Sequence, residues 1–328
     1  MRRREFVVAA GLTLAGAFTR PARAATKPLV AYLGIASRES DQPFFDSLRL
    51  GLQEAGRTPD DDITLVDRYA EGDLARFAAI VDNVVAQGVD VIVVPGIAAA
   101  LAVRERAPQV PVVAMGLPST VLYPDLFQSL HRPGGSVTGF SPFGEDLADK
   151  RVELHRDLAP GLETVAILHN SIDPLYRAWG EKTEQAARAQ GLAAVRLGVE
   201  SKERSALDRL MREAKEAGAG GMVIVRDFLT HLLQEDVAQK ALALGIATMA
   251  EQRNFVEIGG LMSYGADHPA LFRRAAAYVD EILDGADPAE MPIQLATQFE
   301  LVVNRQTSQK LGLEIPRSIL LRADEVIE

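Results

Sequence analysis

The sequence predicts an α/β protein of two Rossmann-like lobes, each with a doubly wound parallel sheet, joined by a hinge that the chain crosses several times. Apolar segments alternate with segments of helical periodicity through residues 27–140, and the same alternation repeats through residues 145–263. Several apolar segments are continuous, which is typical of strands covered by helices on both faces. Repeated βαβ units form open parallel sheets, so two such runs predict two lobes.

In the first run, the pattern predicts strands at residues 28–34, 63–66, 89–94 and 110–115, and a helix at residues 97–106. A polar loop is expected over residues 35–42, after which Pro43 begins a helix that ends at Gly56. The next helix is expected to be capped by Asp73 and to end at Gly88. These elements make up two or more βαβ units, as the first lobe requires.

In the second run, strands are predicted at residues 164–169, 194–199, 222–225 and 247–251, with helices at residues 174–190 and 205–217. Asp173 directly precedes Pro174, which is typical of a helix N-cap. Asp173 is therefore assigned to helix capping. The alternation of strands and helices in this run predicts the second lobe.

The C-terminal part of the chain is too sparse in regular elements to form a third domain. It contains a predicted helix at residues 270–283, a strand at residues 299–304 and a short element at residues 319–321. These must pack on the two lobes, so we expect crossings near residues 139–142, 263–265 and 288–298. The expected division is residues 25–141 plus about 266–290 for the first lobe, and 142–265 plus about 291–328 for the second.

The first 24 residues have the three parts of a secretory signal peptide. Residues 2–4 are arginines, residues 7–18 are apolar, and residues 22–24 form a small-x-small cleavage site. The apolar segment is shorter than the roughly 20 residues that span a bilayer. A buried first helix is the alternative, and the three arginines argue against it. The RRREF opening also fits the twin-arginine pattern, so export before folding and export after folding both stay open.

Composition narrows the class of protein further. The chain has no cysteine, which excludes disulfides, thiolate nucleophiles and the acyl anchor of a lipoprotein. An unanchored exported protein is retained only by a second membrane, so the expected location is the Gram-negative periplasm. Removal of residues 1–24 takes away five arginines and one glutamate and lowers the formal charge from −10 to −14. Because this charge repels phosphate backbones and anionic lipids, neither nucleic acid nor a membrane surface is an expected partner.

The cleft between the lobes is the predicted binding site. Ligands of open parallel sheets bind beyond the carboxyl ends of the strands, where helix N-termini point N–H groups outward. First-lobe candidates are Ser37 and Ser40 for a carboxylate, Glu39 or Asp41 for an ammonium group, Phe44 and Leu117 as apolar walls, Gly96 and Ile97 as backbone donors, and Ser119 and Thr120 as hydroxyl donors. Helix capping by the serines and a tight turn at Gly96 are the alternatives.

Second-lobe candidates also follow strands and are Asn170, Asp227, Glu251 and Tyr264. Asp227 comes after Arg226 at the end of a buried strand and is expected to bind an amine, with an internal salt bridge as the alternative. Glu251 ends the next strand in the same way. Tyr264 lies at a presumed crossing, where its ring walls the pocket or fills the hinge.

Signatures of catalysis are missing from the sequence. There is no G-x-S-x-G turn and no Walker loop. The glycine-rich segment at residues 218–221 precedes a strand, whereas a dinucleotide-binding loop follows one. The five histidines lack the spacing of a metal site. We therefore expect a binding protein with no enzymatic activity, no cofactor and no metal.

Four segments together resemble a family of ABC-transporter substrate-binding proteins. They are HRPGGSVTG (131–139), GGLMSYG (259–265), FELVVN (299–304) and RADEVIE (322–328). They occur in the family's order over essentially the whole chain, and the RRREF opening is similar to the family's signal peptides. The resemblance implies the type I periplasmic-binding-protein fold, with three hinge crossings. Its better-known members bind aromatic amino acids, tryptophan among them.

These observations together predict a periplasmic solute-binding component of an ABC importer. It is expected to act as a monomer, to close its lobes around a small molecule and to deliver it to an inner-membrane ABC permease. An amino acid or small carboxylate is the expected ligand, and apolar walls would suit an aromatic side chain. A receptor that reports its ligand to a signalling kinase is the first alternative, and a periplasmic enzyme is the second.

Overall fold

The computed structural model describes residues 27–119, 123–142 and 147–328. The predicted signal peptide and the candidate residue Thr120 lie outside the described residues. Within those ranges, no helix has the length and apolar character needed to cross a bilayer.

Regular elements alternate along the chain. The first part contains β1 (Leu29–Gly34), α1 (Arg38–Glu54), β2 (Thr64–Tyr69), α2 (Leu74–Ala86), β3 (Val91–Val94), α3 (Ile97–Arg106), β4 (Val112–Ala114) and β5 (Val137–Ser141). The middle part contains α4 (Leu147–Leu158), β6 (Thr164–Asn170), α5 (Pro174–Ala189), β7 (Ala193–Val199), α6 (Arg204–Glu216), β8 (Gly221–Ile224), α7 (Phe228–Leu232), α8 (Gln234–Ala243), β9 (Ala247–Ala250), α9 (Arg253–Glu257) and β10 (Met262–Ala266). The last part contains α10 (His268–Leu283), a 3₁₀ turn (Pro288–Glu290), β11 (Gln294–Leu295), β12 (Phe299–Asn304), α11 (Arg305–Lys310), α12 (Arg317–Leu320) and β13 (Glu325–Ile327).

The strands form two separate sheets, one in each lobe. The first has the order β11-β5-β4-β3-β1-β2, and the second has the order β13-β12-β10-β9-β8-β6-β7. The pairs are parallel, except that β12 runs antiparallel to β10. The order β2-β1-β3-β4-β5 recurs as β7-β6-β8-β9-β10, so the predicted pair of doubly wound α/β lobes is confirmed.

Each sheet is buried on both faces, which explains its continuous apolar strands. In β1, Ala31 and Leu33 belong to one apolar cluster, whereas Val30 and Tyr32 belong to the cluster on the opposite face. All four side chains are fully buried. The second face also carries α10, which packs along α1. The second sheet is covered in the same way by two further clusters.

The helix after β1 begins earlier than Pro43, so the expected loop over residues 35–42 is wrong in its second half. Ser37 caps α1, since its hydroxyl accepts a hydrogen bond from the Ser40 backbone N–H at 3.2 Å. Pro43 is tolerated inside the helix. Because the helix begins at Arg38, Asp41, Phe44 and Leu48 lie on one face of α1, and this face is buried.

The last third of the chain holds the lobes together. The chain leaves the first sheet after β5, returns after β10, and passes to the second sheet again between β11 and β12. β11 pairs with β5, so residues 294–295 belong to the first sheet. The chain thus passes back to the second lobe slightly later than residue 291, where the sequence placed this crossing. The short element at residues 319–321 is the helix α12 and its C-cap.

Candidate functional site

A cavity lies between the two lobes at the carboxyl ends of the strands. The first lobe contributes Ile35, Ala36 and Asp41 after β1 and residues 95–99 after β3. The second lobe contributes Tyr176 from α5 and residues 226–228 and His231 around the start of α7. Both lobes therefore line one cavity at the position where open α/β sheets bind ligands.

Asp41 is the acidic group of the first-lobe wall. Its side chain is 1% exposed, and neither carboxylate oxygen has a hydrogen-bond partner among the described residues. Gly34 leaves room for it, because a Cβ at Gly34 would lie 2.3 Å from Asp41 Oδ2. Burial and the nearby Asp41 raise the pKa of Tyr32 well above its usual value, so that phenol stays neutral. A buried carboxylate without hydrogen bonds is costly unless a cation or donor approaches it.

The N-terminus of α3 forms the neighbouring part of the same wall. Gly96 is the N-cap and provides no side-chain hydrogen bond to the first turn. A Cβ at Gly96 would meet no atom within 4 Å, so the space in front of this backbone is open. Residues 96–99 all line the cavity. Free N–H groups and the helix dipole make this wall suited to a carboxylate.

Arg226 provides the positive side chain on the second-lobe wall. Its Nε atom is buried and has no hydrogen-bond partner among the described residues. The guanidinium carbon lies 5.7 Å from the centre of the Phe44 ring, in cation–π geometry across the lobes. Burial, with Arg226 as the second cause, lowers the pKa of His268 well below its usual value. His268 is therefore neutral, and Arg226 provides the positive charge on the second-lobe side of the cavity.

His231 connects the lobes directly. Its Nε2 lies 3.3 Å from the Ser40 carbonyl oxygen and 3.4 Å from Asp41 Oδ1. Its ring also stacks on Phe44, with 5.8 Å between the ring centres. At the rim, the Tyr123 hydroxyl donates to Asp173 at 3.3 Å and Lys202 Nζ donates to the Glu71 carbonyl at 2.5 Å. These contacts show a closed arrangement of the two lobes.

An apolar cluster continues across the closed cleft. Ile97 and Ala99 from the first lobe belong to the same buried cluster as Tyr176 and Val225 from the second. All four side chains are at most 5% exposed. Closure therefore buries apolar surface from both lobes together.

Asp227 lines the cavity, but its carboxylate is engaged inside the second lobe. Oδ1 accepts from the Thr230 backbone N–H at 2.9 Å, and the Thr230 hydroxyl accepts from the Asp227 N–H at 2.8 Å, which completes a capping box. Oδ2 accepts from the Asn170 amide. Burial raises the pKa of Asp227, while these hydrogen bonds oppose the increase. Asn170 and Asp227 thus stabilise the loops that carry Arg226.

Glu251 is similarly engaged, beside a second cavity. Arg151 Nη1 donates to Glu251 Oε1 at 3.2 Å, and the Arg226 backbone N–H donates to the same oxygen at 3.3 Å. Arg151 Nε also donates to the Tyr264 carbonyl at 2.8 Å. Both side chains of the ion pair are at most 10% exposed. The internal salt bridge that the sequence left open for Asp227 thus forms at Glu251 instead.

The other predicted site residues lie away from the cavity lining. Ser37 and Ser40 bond to each other at the start of α1, and Glu39 is exposed on the outer face. Leu117 is fully buried in the apolar core, and Ser119 is half-buried. Phe44 packs against Phe272 behind the cavity, and Tyr264 packs on Phe299 within the second lobe. Of the predicted set, Asp41, Gly96, Ile97 and Asp227 line the first cavity, and Glu251 lines the second.

Sequence patterns did not indicate three of the lining residues that the second lobe contributes. Tyr176 lies on α5 and Phe228 and His231 on α7, inside helices rather than in strand-to-helix loops. The available signal for the last two was the capping box of Asp227 and Thr230, which marks the start of a helix at Phe228. In the described ranges, no three histidine, aspartate or glutamate side chains are grouped as a metal site would require.

The chain belongs to the ABC transporter substrate binding protein family, whose model matches residues 30–327. The matched range contains both lobes and every residue of the cavity lining. Proteins of this family bind small molecules for ABC transporters, and the closed two-lobed cavity agrees with that role.

Known relatives share the whole architecture. A tyrosine-binding protein of Clostridioides difficile (strain R20291) is 21% identical over 280 residues, which cover 84% of this chain and 79% of that protein. A conserved domain protein from Vibrio cholerae has a TM-score of 0.84 at 22% identity, over 92% of this chain and all of the other. An ABC domain in complex with L-Trp from Streptococcus pneumoniae has a TM-score of 0.82 at 24% identity, with the same coverage. The solved structures thus share the type I periplasmic-binding-protein fold.

Proposed function

We propose that this protein is the solute-binding component of an ABC importer and that its solute is an amino acid with an apolar or aromatic side chain. One observation carries the proposal: two groups of opposite charge, Asp41 and Arg226, face one closed cavity from opposite lobes. An amino acid carries the complementary pair of charges. The tyrosine-binding relative and the L-Trp complex support this class of ligand.

Each end of the amino acid has a candidate partner. Asp41 accepts hydrogen bonds from the ammonium group, and the free N–H groups after Gly96 and the Arg226 guanidinium bind the carboxylate. Tyr176, Phe228 and Ile97 provide apolar walls for the side chain. Because the carboxylate touches both lobes only when they are closed, its binding shifts the population towards the closed form.

The cellular role follows from the family and from the first 24 residues. We propose export by a cleaved signal peptide, release into a Gram-negative periplasm without a lipid anchor, and delivery of the ligand by a monomer to an inner-membrane permease. The two lobes are proposed to divide near residues 141 and 266 and after β11. No enzymatic step is proposed. Mass spectrometry of the exported protein would show an N-terminus near Ala25, and an intact Met1 would contradict export by cleavage.

Calorimetric titration tests the ligand class. The protein is unfolded in urea to remove bound solute, refolded and titrated with L-tryptophan, L-tyrosine, L-phenylalanine and L-leucine. Tryptamine and 3-(indol-3-yl)propanoate lack the carboxylate and the ammonium group respectively, and each is expected to bind at least about 30-fold more weakly than L-tryptophan, because one buried charge then stays unpaired. A sugar that binds while no amino acid does would overturn the proposal.

A variant of Asp41 tests the role of the first-lobe carboxylate. Asp41→Asn keeps the shape of the side chain and removes its charge, and we expect a loss in amino-acid affinity of about 30-fold or more. Glu39→Gln is the matched control, because Glu39 lies two residues away on the exposed face of the same helix. Equal affinities for Asp41→Asn and the wild type would contradict ammonium binding at Asp41.

A further inference from the structure

A second cavity lies in the second lobe, behind Arg226 and His231. These two side chains line both cavities. The second cavity is otherwise formed by the ends of β8 and β9 and by α7, α8 and α9, with an apolar floor that includes Phe255. The two cavities therefore adjoin each other at these side chains.

Two amide side chains in this second cavity have unused hydrogen-bonding groups. Gln252 is 6% exposed, and its Nε2 is buried without a partner among the described residues. Asn254 donates from Nδ2 to Gln234 Oε1 at 3.1 Å, while its Oδ1 is buried and has no partner among the described residues. Besides the Arg226 Nε atom, the cavity thus offers one free amide donor and one free amide acceptor.

The acidic group of this lining is already engaged. The Glu251 carboxylate accepts from Arg151 and from the Arg226 backbone. Its charge is balanced by Arg151, and in the proposed function Arg226 binds the ligand carboxylate, so the far end of the ligand side chain need not be ionised. A neutral group that both accepts and donates a hydrogen bond, a hydroxyl or a carboxamide, matches the free donor of Gln252 and the free acceptor of Asn254.

We propose that the second cavity is a specificity subsite for the far end of the ligand side chain, and that Gln252 selects amino acids whose side chain ends in a hydroxyl or carboxamide. The inference rests on the proposed amino-acid function. It adds a preference within that class, since a site that hydrogen-bonds a substrate group discriminates against the analogue that lacks the group.

The subsite is tested by measuring the affinities of two pairs of ligands for the wild type and for Gln252→Met. Methionine keeps the length of the side chain and removes its donor. The wild type is titrated with L-tyrosine against L-phenylalanine, and with L-glutamine against L-methionine; we expect a preference of at least about 10-fold for the hydrogen-bonding member of one pair. Which pair shows the preference identifies hydroxyl or carboxamide. In Gln252→Met, the preference is expected to fall below about 3-fold, while the affinity for the apolar member stays within about 2-fold.

Controls separate this proposal from the function on which it rests. Gln309→Met makes the same substitution at an exposed position of α11 and is expected to keep the preference. Gln252→Glu is a second variant, and thermal unfolding without ligand shows whether each variant folds. Amino-acid binding with no preference in the wild type, or a preference that survives in both folded Gln252 variants, overturns the subsite alone. Failure of every amino acid to bind the wild type overturns the proposed function as well.

Discussion

The two lobes have the same strand order, β2-β1-β3-β4-β5 in one and β7-β6-β8-β9-β10 in the other, but they present different chemistry to the cleft. The first lobe presents backbone N–H groups at α3 and one carboxylate, Asp41. The second presents Arg226, on a loop held by the hydrogen bonds of Asp227 and Glu251, and His231 from α7. A common sheet topology thus positions strand ends, and the loops that follow decide what is bound.

The fifth strands of the two lobes offer the sharpest comparison. A Cβ at Gly139 in β5 would lie 2.0 Å from the Ala114 carbonyl, and a Cβ at Gly265 in β10 would lie 2.0 Å from the Glu251 carbonyl. Gly139 alone also has a positive φ, of +140°. Both strands end where the chain crosses between lobes, so each crossing depends on a close approach that only glycine permits.

The largest effect is expected at Gly139. Gly139→Ala is expected to lower the free energy of unfolding by about 4 kcal/mol, from the clash and the unfavourable φ together, and Gly265→Ala by about 2 kcal/mol, from the clash alone. Urea unfolding of both variants measures this difference. Gly161→Ala is the control, because a Cβ there meets nothing within 4 Å. Equal losses at Gly139 and Gly265 would show that φ contributes nothing.

Acid is expected to weaken the second lobe next. His155 in α4 is 1% exposed, its Nε2 lies 3.0 Å from the Ala247 carbonyl, and burial lowers its pKa to about 4. The unfolded chain takes up a proton near pH 6.5, and the folded chain does so only near pH 4. Stability is therefore complete above pH 6.5 and falls between pH 6.5 and pH 4, by about 3 kcal/mol for this group. Burial also lowers the pKa of His169 in the same lobe.

Urea unfolding at pH 7 and pH 4.5 tests this dependence. His155→Gln cannot take up a proton, so its stability is expected to fall by about 2 to 3 kcal/mol less than that of the wild type between the two pH values. His131→Gln, at an exposed position, is the control. An equal fall in stability for His155→Gln and the wild type would contradict the assignment to His155.

The smallest effect is expected from the rim of the cleft. Lys202 Nζ reaches the Glu71 carbonyl across the lobes at 2.5 Å, and one exposed hydrogen bond contributes at most about 1 kcal/mol to closure. Lys202→Ala is expected to raise the ligand Kd by about 2- to 5-fold in a calorimetric titration. Lys215→Ala removes a comparable bond to Leu244 within the second lobe and is expected to leave the Kd unchanged. An equal effect of both variants would argue against a contribution from the rim.

The sequence patterns predicted the fold well because covered parallel strands and capped helices leave strong local signals. The helix at Ile97–Arg106 and the strand at Phe299–Asn304 were located to the residue. The site was predicted less well, and α1 shows why. If residues 36–42 form a loop, nothing distinguishes Glu39 from Asp41. In the helix that the structure shows, Asp41 lies on the buried face with Phe44, whereas Glu39 lies on the exposed face.

The second-lobe wall depends on contacts that sequence spacing does not show. Asp227 and Glu251 end strands as expected, but which partner each carboxylate takes is decided by Asn170 and Arg151, distant in sequence. His231 meets Asp41 only because the lobes close on each other. Local patterns therefore located the loops of the site, and packing between lobes selected the side chains.

The apolar cluster that joins Ile97 to Tyr176 and Val225 gives the closed form a thermal signature. Opening hydrates this surface, and hydration of apolar groups increases the heat capacity. The enthalpy of opening therefore rises with temperature. Near and below room temperature the apolar contribution to closure weakens as the protein is cooled. Cooling is therefore expected to weaken this contribution to closure, and warming towards room temperature is expected to strengthen it.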